Sequence, residues 1–144
     1  MTVTSRPRAR RLSHSQRRQQ LLDVAFDMLE AQGSEALRMD ALARAAGVTR
    51  PVVYEHFDNR EALLVALIEQ HGLRLGREAA AAEATSGDFE TDLRRSVRAY
   101  LDGVRQRGVG LRSLMTTAGA SPTVEGARSQ IWDAAIRRWT DRYA

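Results

Sequence analysis

Apolar residues fall at helical spacing from Ser15 to Gln32, where Leu22, Ala25, Phe26 and Leu29 form a stripe that Leu21, Val24 and Met28 widen. That period predicts an amphipathic helix, with Gly33 as its stop. A short helix is expected from Met39 to Ala46, ended by Gly47, and a second from Arg50 to about His56. Asp58 is the expected cap of a longer helix, its carboxylate accepting from the Glu61 backbone while Glu61 reaches back. Leu64, Ile68 and Leu75 face that helix inward to about Ala82, and Ser86-Gly87 breaks it. Asp88 caps the next helix, where Phe89, Leu93, Val97, Tyr100, Leu101 and Val104 predict an inward stripe. Gly108 and Gly110 are expected to bracket a turn, with a short helix from about Leu111 to Thr117. Ser121-Pro122 opens the last helix, since a proline in the first turn lacks only an N–H that would be unbonded anyway. No stretch alternates as a strand would, and no repeat is present. The chain therefore reads as all-α, with about seven helices.

Charge adds a feature that the periodicity does not show. Residues 1–20 carry six arginines and no acid, while the 144-residue chain is +4, so the remainder sums to −2. Residues 1–12 have no periodic apolar face and are expected to form a flexible basic arm, suited to a polyanion or simply solvated. No run approaches the roughly 20 apolar residues of a membrane span. There is no cysteine, which removes disulfides and thiolate metal sites and fits a reducing cytoplasm. His14 and His71 are far apart and lack metal-ligand spacing, so neither a metal nor another cofactor is expected. No nucleophile-and-base pair and no phosphate-cradling glycine loop is found, which argues against an enzyme.

The most informative stretch is Ala43-x-x-x-Gly47-x-x-x-x-x-Val53. Two helices crossing steeply through a short turn need a small residue at the crossing, a left-handed turn residue, and an apolar residue that locks the second helix. Ala43, Gly47 and Val53 meet these needs, with Leu42 and Val48 beside Val53. An ordinary helical hairpin meets them too. The second helix, however, presents Thr49, Arg50, Tyr54 and His56, a set suited to phosphates and base edges. Arg60 follows at the start of the next helix, where backbone N–H groups favour an anion. Tyr54 packing on the first helix and His56 as a helix-end surface residue remain open alternatives; Phe57 is expected in the core.

Residues 17–71, through "LLDVAFDMLEAQG", "MDALARAAGVTRPVVYEHF" and "DNREALLVALIEQH", resemble the N-terminal head of TetR-type transcriptional regulators. The resemblance implies a three-helix helix-turn-helix head followed by a helical ligand-binding body. It places Thr49, Arg50 and Val53 against the major groove and Tyr54, His56 and Arg60 on phosphates. Arg18 matches an arginine that approaches the DNA backbone. Arg38 stands where the family has a capping threonine; it can reach a phosphate but cannot cap. Pro51 is tolerable in the first turn of the recognition helix.

The expected division is an arm at 1–12, a DNA-binding domain at 13–60 and a partial regulatory domain at 61–144. Tyr100, Met115, Trp132 and Trp139 are candidate ligand contacts. Trp132, Ala135, Ile136, Trp139 and Tyr143 share one stripe, and as the chain stands an exposed apolar patch is expected there. Family members continue through two more long helices that make a dimer, so the expectation is either a fragment or a differently built dimer. The implied function is a repressor that binds a palindromic double-stranded DNA operator as a homodimer and is released by a small-molecule inducer. Alternatives are a nonspecific basic DNA-binding protein, for which the arm would suffice, and a truncated paralogue without a regulatory role.

Overall fold

The computed structural model describes residues 12–82, 88–116 and 121–143, and these form an all-helical fold. The expected arm up to residue 11, the Ser86-Gly87 break and Thr117 lie outside the described residues.

Helix α1 spans His14–Gln32 and starts at Ser13, which forms a capping box with Gln16: the Gln16 N–H donates to Ser13 Oγ at 3.2 Å and the Ser13 N–H to Gln16 Oε1 at 2.9 Å. Gly33 ends it at a φ of 77°, a conformation costly for any residue with a Cβ. A single 3₁₀ turn, Ser34–Ala36, leads to α2 (Met39–Ala45). Gly47, at a φ of 65°, turns the chain into α3 (Arg50–Tyr54). The arginine at Arg38 makes no cap on α2, as its side-chain chemistry requires.

Helix α4 covers Arg60–Ala81. Its cap is Asn59, whose side chain accepts from the Ala62 N–H at 2.8 Å, and not Asp58. The expected Asp58–Glu61 box is therefore corrected by one residue. Glu61 instead accepts a hydrogen bond from the Ser121 hydroxyl at the start of the last helix. Sequence placed the carboxylate near a helix end; tertiary packing supplied it with a more distant donor.

Helix α5 spans Phe89–Gln106, capped by Asp88, whose carboxylate accepts the Thr91 N–H at 3.0 Å. That hydrogen bond and the Thr91 hydroxyl hold Asp88 below the usual carboxylate range. The apolar stripe expected to point inward does not. Phe89, Val97 and Leu101 are each about half exposed, while the buried residues of α5 are Asp92, Ser96 and Gly103. Gly103 lets α5 approach Leu75 of α4 closely, and Arg107 pairs with Glu78 at 2.5 Å, keeping that carboxyl below its usual range.

Helix α6 begins at Gly108 and runs to Thr116, so Gly108 and Gly110 do not bracket a turn. Gly108 alone has the left-handed φ, at 65°. Gly110 lies within the helix because Glu30 of α1 packs against it and accepts its N–H at 2.9 Å. A Cβ at Gly110 would lie 2.6 Å from that carboxylate oxygen. Helix α7 (Pro122–Tyr143) has proline in its first turn and Ser121 Oγ accepting the Val124 N–H at 3.4 Å.

One core runs through the described residues. Leu21, Leu29, Leu42, Val53, Phe57 and Leu67 pack together from the first four helices, and Leu114, Val124 and Ala127 continue the cluster into α6 and α7. Helix α4 is thus shared: its first turns pack into the head and its last turns against α5 and α7.

Candidate nucleic-acid interface

The pair α2–α3 carries the expected turn geometry. Val48 N–H bonds back to Ala43 carbonyl at 3.0 Å and Gly47 N–H to Arg44 carbonyl at 3.2 Å, which fixes the turn. Ala43, Leu42 and Val53 are buried between the helices, and Val48 packs at the edge of the same core. Helix α3 has only five residues, and Arg50 and Tyr54, four apart, share one face of it.

Val53 is fully buried. Its expected place against the groove is corrected, and its role is the lock that its spacing also suggested. A methyl pair inside the core cannot also face a base. Thr49, Arg50, Pro51 and Tyr54 are exposed on the opposite side. Thr49 occupies the cap position of α3 with its side chain making no hydrogen bond to the helix. The Arg50 guanidinium lies over the Tyr54 ring at 5.7 Å and reaches its hydroxyl at 3.4 Å. Arginine stacked on an exposed tyrosine one turn ahead makes a flat, cationic, donor-rich edge, of the kind that engages guanine or phosphate.

Three other expected contacts have different employment. Arg60 donates to the Leu37 carbonyl (Nε, 2.7 Å) and to the Ser34 carbonyl (Nη2, 2.7 Å). It clamps the loop before α2 onto the start of α4. Arg18 donates to the His56 carbonyl at 2.8 Å and sits 4.4 Å from the Phe57 ring centroid, tying α1 to the end of α3. His56 is half-buried, its ring 4.2 Å from that of His14. Its Nδ1 is buried without a hydrogen-bond partner. Burial, then the nearby His14 and Arg18, push its pKa below the usual imidazole range.

Sequence reading missed Arg44. It and Arg38 both bond Asp40, at 3.1 and 3.2 Å, on an exposed cluster beside the turn. The signal was present as an i, i+4 pair on α2, but nothing in the pattern says which charges stand beside α3.

At the other end of α4 lies the expected apolar patch. A cavity of about 1060 Å³ opens between α4, α5 and α7, lined among others by Tyr100, Trp132 and Trp139. Met115 does not line it: that residue sits half-buried on α6. Tyr100, its hydroxyl pKa raised by burial, lies 5.2 Å from the Trp132 ring. Phe89 meets Trp139 and Tyr143 edge-on, at 5.7 and 5.1 Å.

Residues 21–67 match the family model described as "Bacterial regulatory proteins, tetR family". The head belongs to the TetR family. The matched residues contain the whole α2–α3 pair and the first turns of α4. The HTH-type transcriptional activator FasR of Mycolicibacterium smegmatis is 34% identical over 105 residues, 73% of this chain and 48% of FasR. The HTH-type transcriptional regulator EthR of the same organism is 26% identical over 140 residues, 94% of this chain and 63% of EthR. The chain thus spans about half of the one relative and under two thirds of the other. The multidrug-binding protein EbrR, in its complex with imidazole, superposes with a TM-score of 0.77 at 23% identity, covering 97% of this chain and 77% of EbrR. That likeness carries the TetR-like fold through the helical body as well. No helix among the described residues is long and apolar enough to cross a membrane.

Proposed function

We propose that the chain is a sequence-specific DNA-binding transcriptional regulator whose head reads the major groove with α3. One observation carries this reading: the short helix after the Gly47 turn buries Val53 and turns Thr49, Arg50, Pro51 and Tyr54 outward together. Arg50 is the base-reading candidate, Tyr54 and Arg38 the positioning ones, and the arginines of residues 1–12 add nonspecific attraction. The working units are the arm at 1–12, the DNA-binding domain at 13–60 and a regulatory part at 61–144. No catalysis is assigned to the chain, and its place of action is the cytoplasm.

A single head buries limited surface and binds weakly. Two heads about 34 Å apart, one helical turn, recognise a palindrome, so the operator is a palindrome and the binding form a homodimer. Helix α4 links the two functions, since it starts at the head and ends at the α4–α5–α7 cavity. A small molecule seated in that cavity moves α4 and releases DNA, a coupling of two states through one rigid element.

Fluorescence anisotropy with the gene's own upstream DNA tests this. Binding that favours one segment over scrambled DNA of equal length, and loses that preference in Arg50→Ala, is expected. Equal binding to every duplex, abolished by deleting residues 1–12, would make the chain a nonspecific arginine-arm binder instead.

A further inference from the structure

The charges at the rim of the cavity say which ligands it suits. Leu73, Phe89, Val97, Leu101, Trp132 and Ile136 line it although each is about half exposed, so its walls are apolar and reachable. Its charged lining residues are Arg77 of α4 and Arg138 of α7, and no acid lines it among the described residues. Arg77 is exposed and makes no hydrogen bond or ion pair with any described residue. Two nearby acids are already engaged. Glu78 holds Arg74 at 3.2 Å and Arg107 at 2.5 Å. Asp92 is fully buried and accepts from the Tyr143 hydroxyl at 2.7 Å and from Arg142 at 3.3 Å. The free guanidinium of Arg77 at the edge of an apolar trough is complementary to an amphipathic anion and repels an amphipathic cation.

We infer that the α4–α5–α7 cavity takes an apolar chain or ring system bearing one carboxylate, its apolar part between the two tryptophans and its head at Arg77. This rests on the ligand-responsive reading above and names the class of ligand for that site. At about 1060 Å³ the space lies at the upper end of small-molecule pockets, which run to roughly 1,000 Å³. Helix α4 contributes both Arg77 and the small residues Gly72 and Gly76 of the floor. A bound anion therefore presses on the helix whose other end holds the DNA-reading head.

The protein contains its own reporter. Its two tryptophans, Trp132 and Trp139, both line the cavity, so selectively excited tryptophan fluorescence reads this site. Decanoate, decan-1-ol and decylamine, titrated at neutral pH below their aggregation limits, share one chain length and differ in head charge. Decanoate is expected to bind about twofold to fivefold tighter than the alcohol, the range of an exposed ion pair, with the amine weakest. Arg77→Glu, at an exposed position, is expected to invert the order of acid and amine. Equal affinity for all three, tightest binding of the amine, or an order untouched by Arg77→Glu overturns the inference. DNA anisotropy in the same titrations separates the two readings. Selective decanoate binding with unchanged DNA affinity keeps the ligand class and removes the regulatory coupling.

Discussion

Arg60 offers a sharp test because its position and its geometry point in opposite directions. At the start of α4 an arginine is well placed for a phosphate, yet both bonds it makes go to carbonyls of the chain, at 2.7 Å each. A hydrogen bond from a charged donor contributes about 1.5–3 kcal/mol. Half burial of the side chain lowers each toward the smaller figure, so Arg60→Ala should cost about 2–4 kcal/mol in total. For a chain of this length each kcal/mol moves the melting temperature by roughly 3 °C, which predicts a drop of roughly 6–12 °C. Arg60→Lys keeps the charge but loses the planar fork that reaches Leu37 and Ser34 together, and should recover less than half. The matching measurement is the dependence of DNA affinity on salt. A lost phosphate contact flattens the log–log slope by about 0.9, whereas loss of a structural clamp leaves the slope alone where the protein is folded. Circular-dichroism melting and anisotropy at four salt concentrations give both numbers. An unchanged melting temperature together with a slope shallower by about one would refute the clamp and restore Arg60 to the DNA.

Three further outcomes are expected. Val53→Ala should cost about 2–3 kcal/mol in urea unfolding, from two buried methyl groups and the space they leave, with base preference in site selection unchanged. Arg50→Ala should leave the melting temperature within 2 °C or so and relax discrimination at one base pair by about tenfold; a uniform loss across all sequences would reassign Arg50 to the phosphates. Burial holds His71, stacked on Phe26 at 3.8 Å, and His56 below the usual imidazole range. A group kept neutral in the fold takes up its proton first in the unfolded chain, so the stability it contributes is complete above about pH 6.5 and declines as pH falls through that value. Melting should therefore weaken from pH 7.5 to 5, and less steeply in His71→Gln; an identical slope in that variant would mean that other groups set it.

The helices and the turn between α2 and α3 were legible because they depend on local forces. Spacing of Leu22, Ala25 and Leu29 marks a buried face wherever the helix packs, and Gly47 is needed for its backbone angle whatever surrounds it. The same locality explains the errors. Caps at Asp58 and Asn59 are nearly equivalent in sequence, and in the fold it is the Asn59 side chain that accepts the Ala62 N–H. The α5 stripe is as periodic as that of α1, but period states only that a face is apolar. Whether another helix covers it is decided by what packs there, and in this fold Phe89, Val97 and Leu101 look onto an open cavity.

By itself the sequence determined an all-helical chain with a glycine-hinged helix pair, since propensity, capping chemistry and period act within a few residues of one another. Only the tertiary structure decided which polar side chains were left for a partner. Arg18 and Arg60 reach carbonyls 38 and 26 residues away, His56 is shielded by His14, and Val53 is sealed under α1 and α2. A donor's availability depends on acceptors brought near by the whole fold, and no local pattern records them.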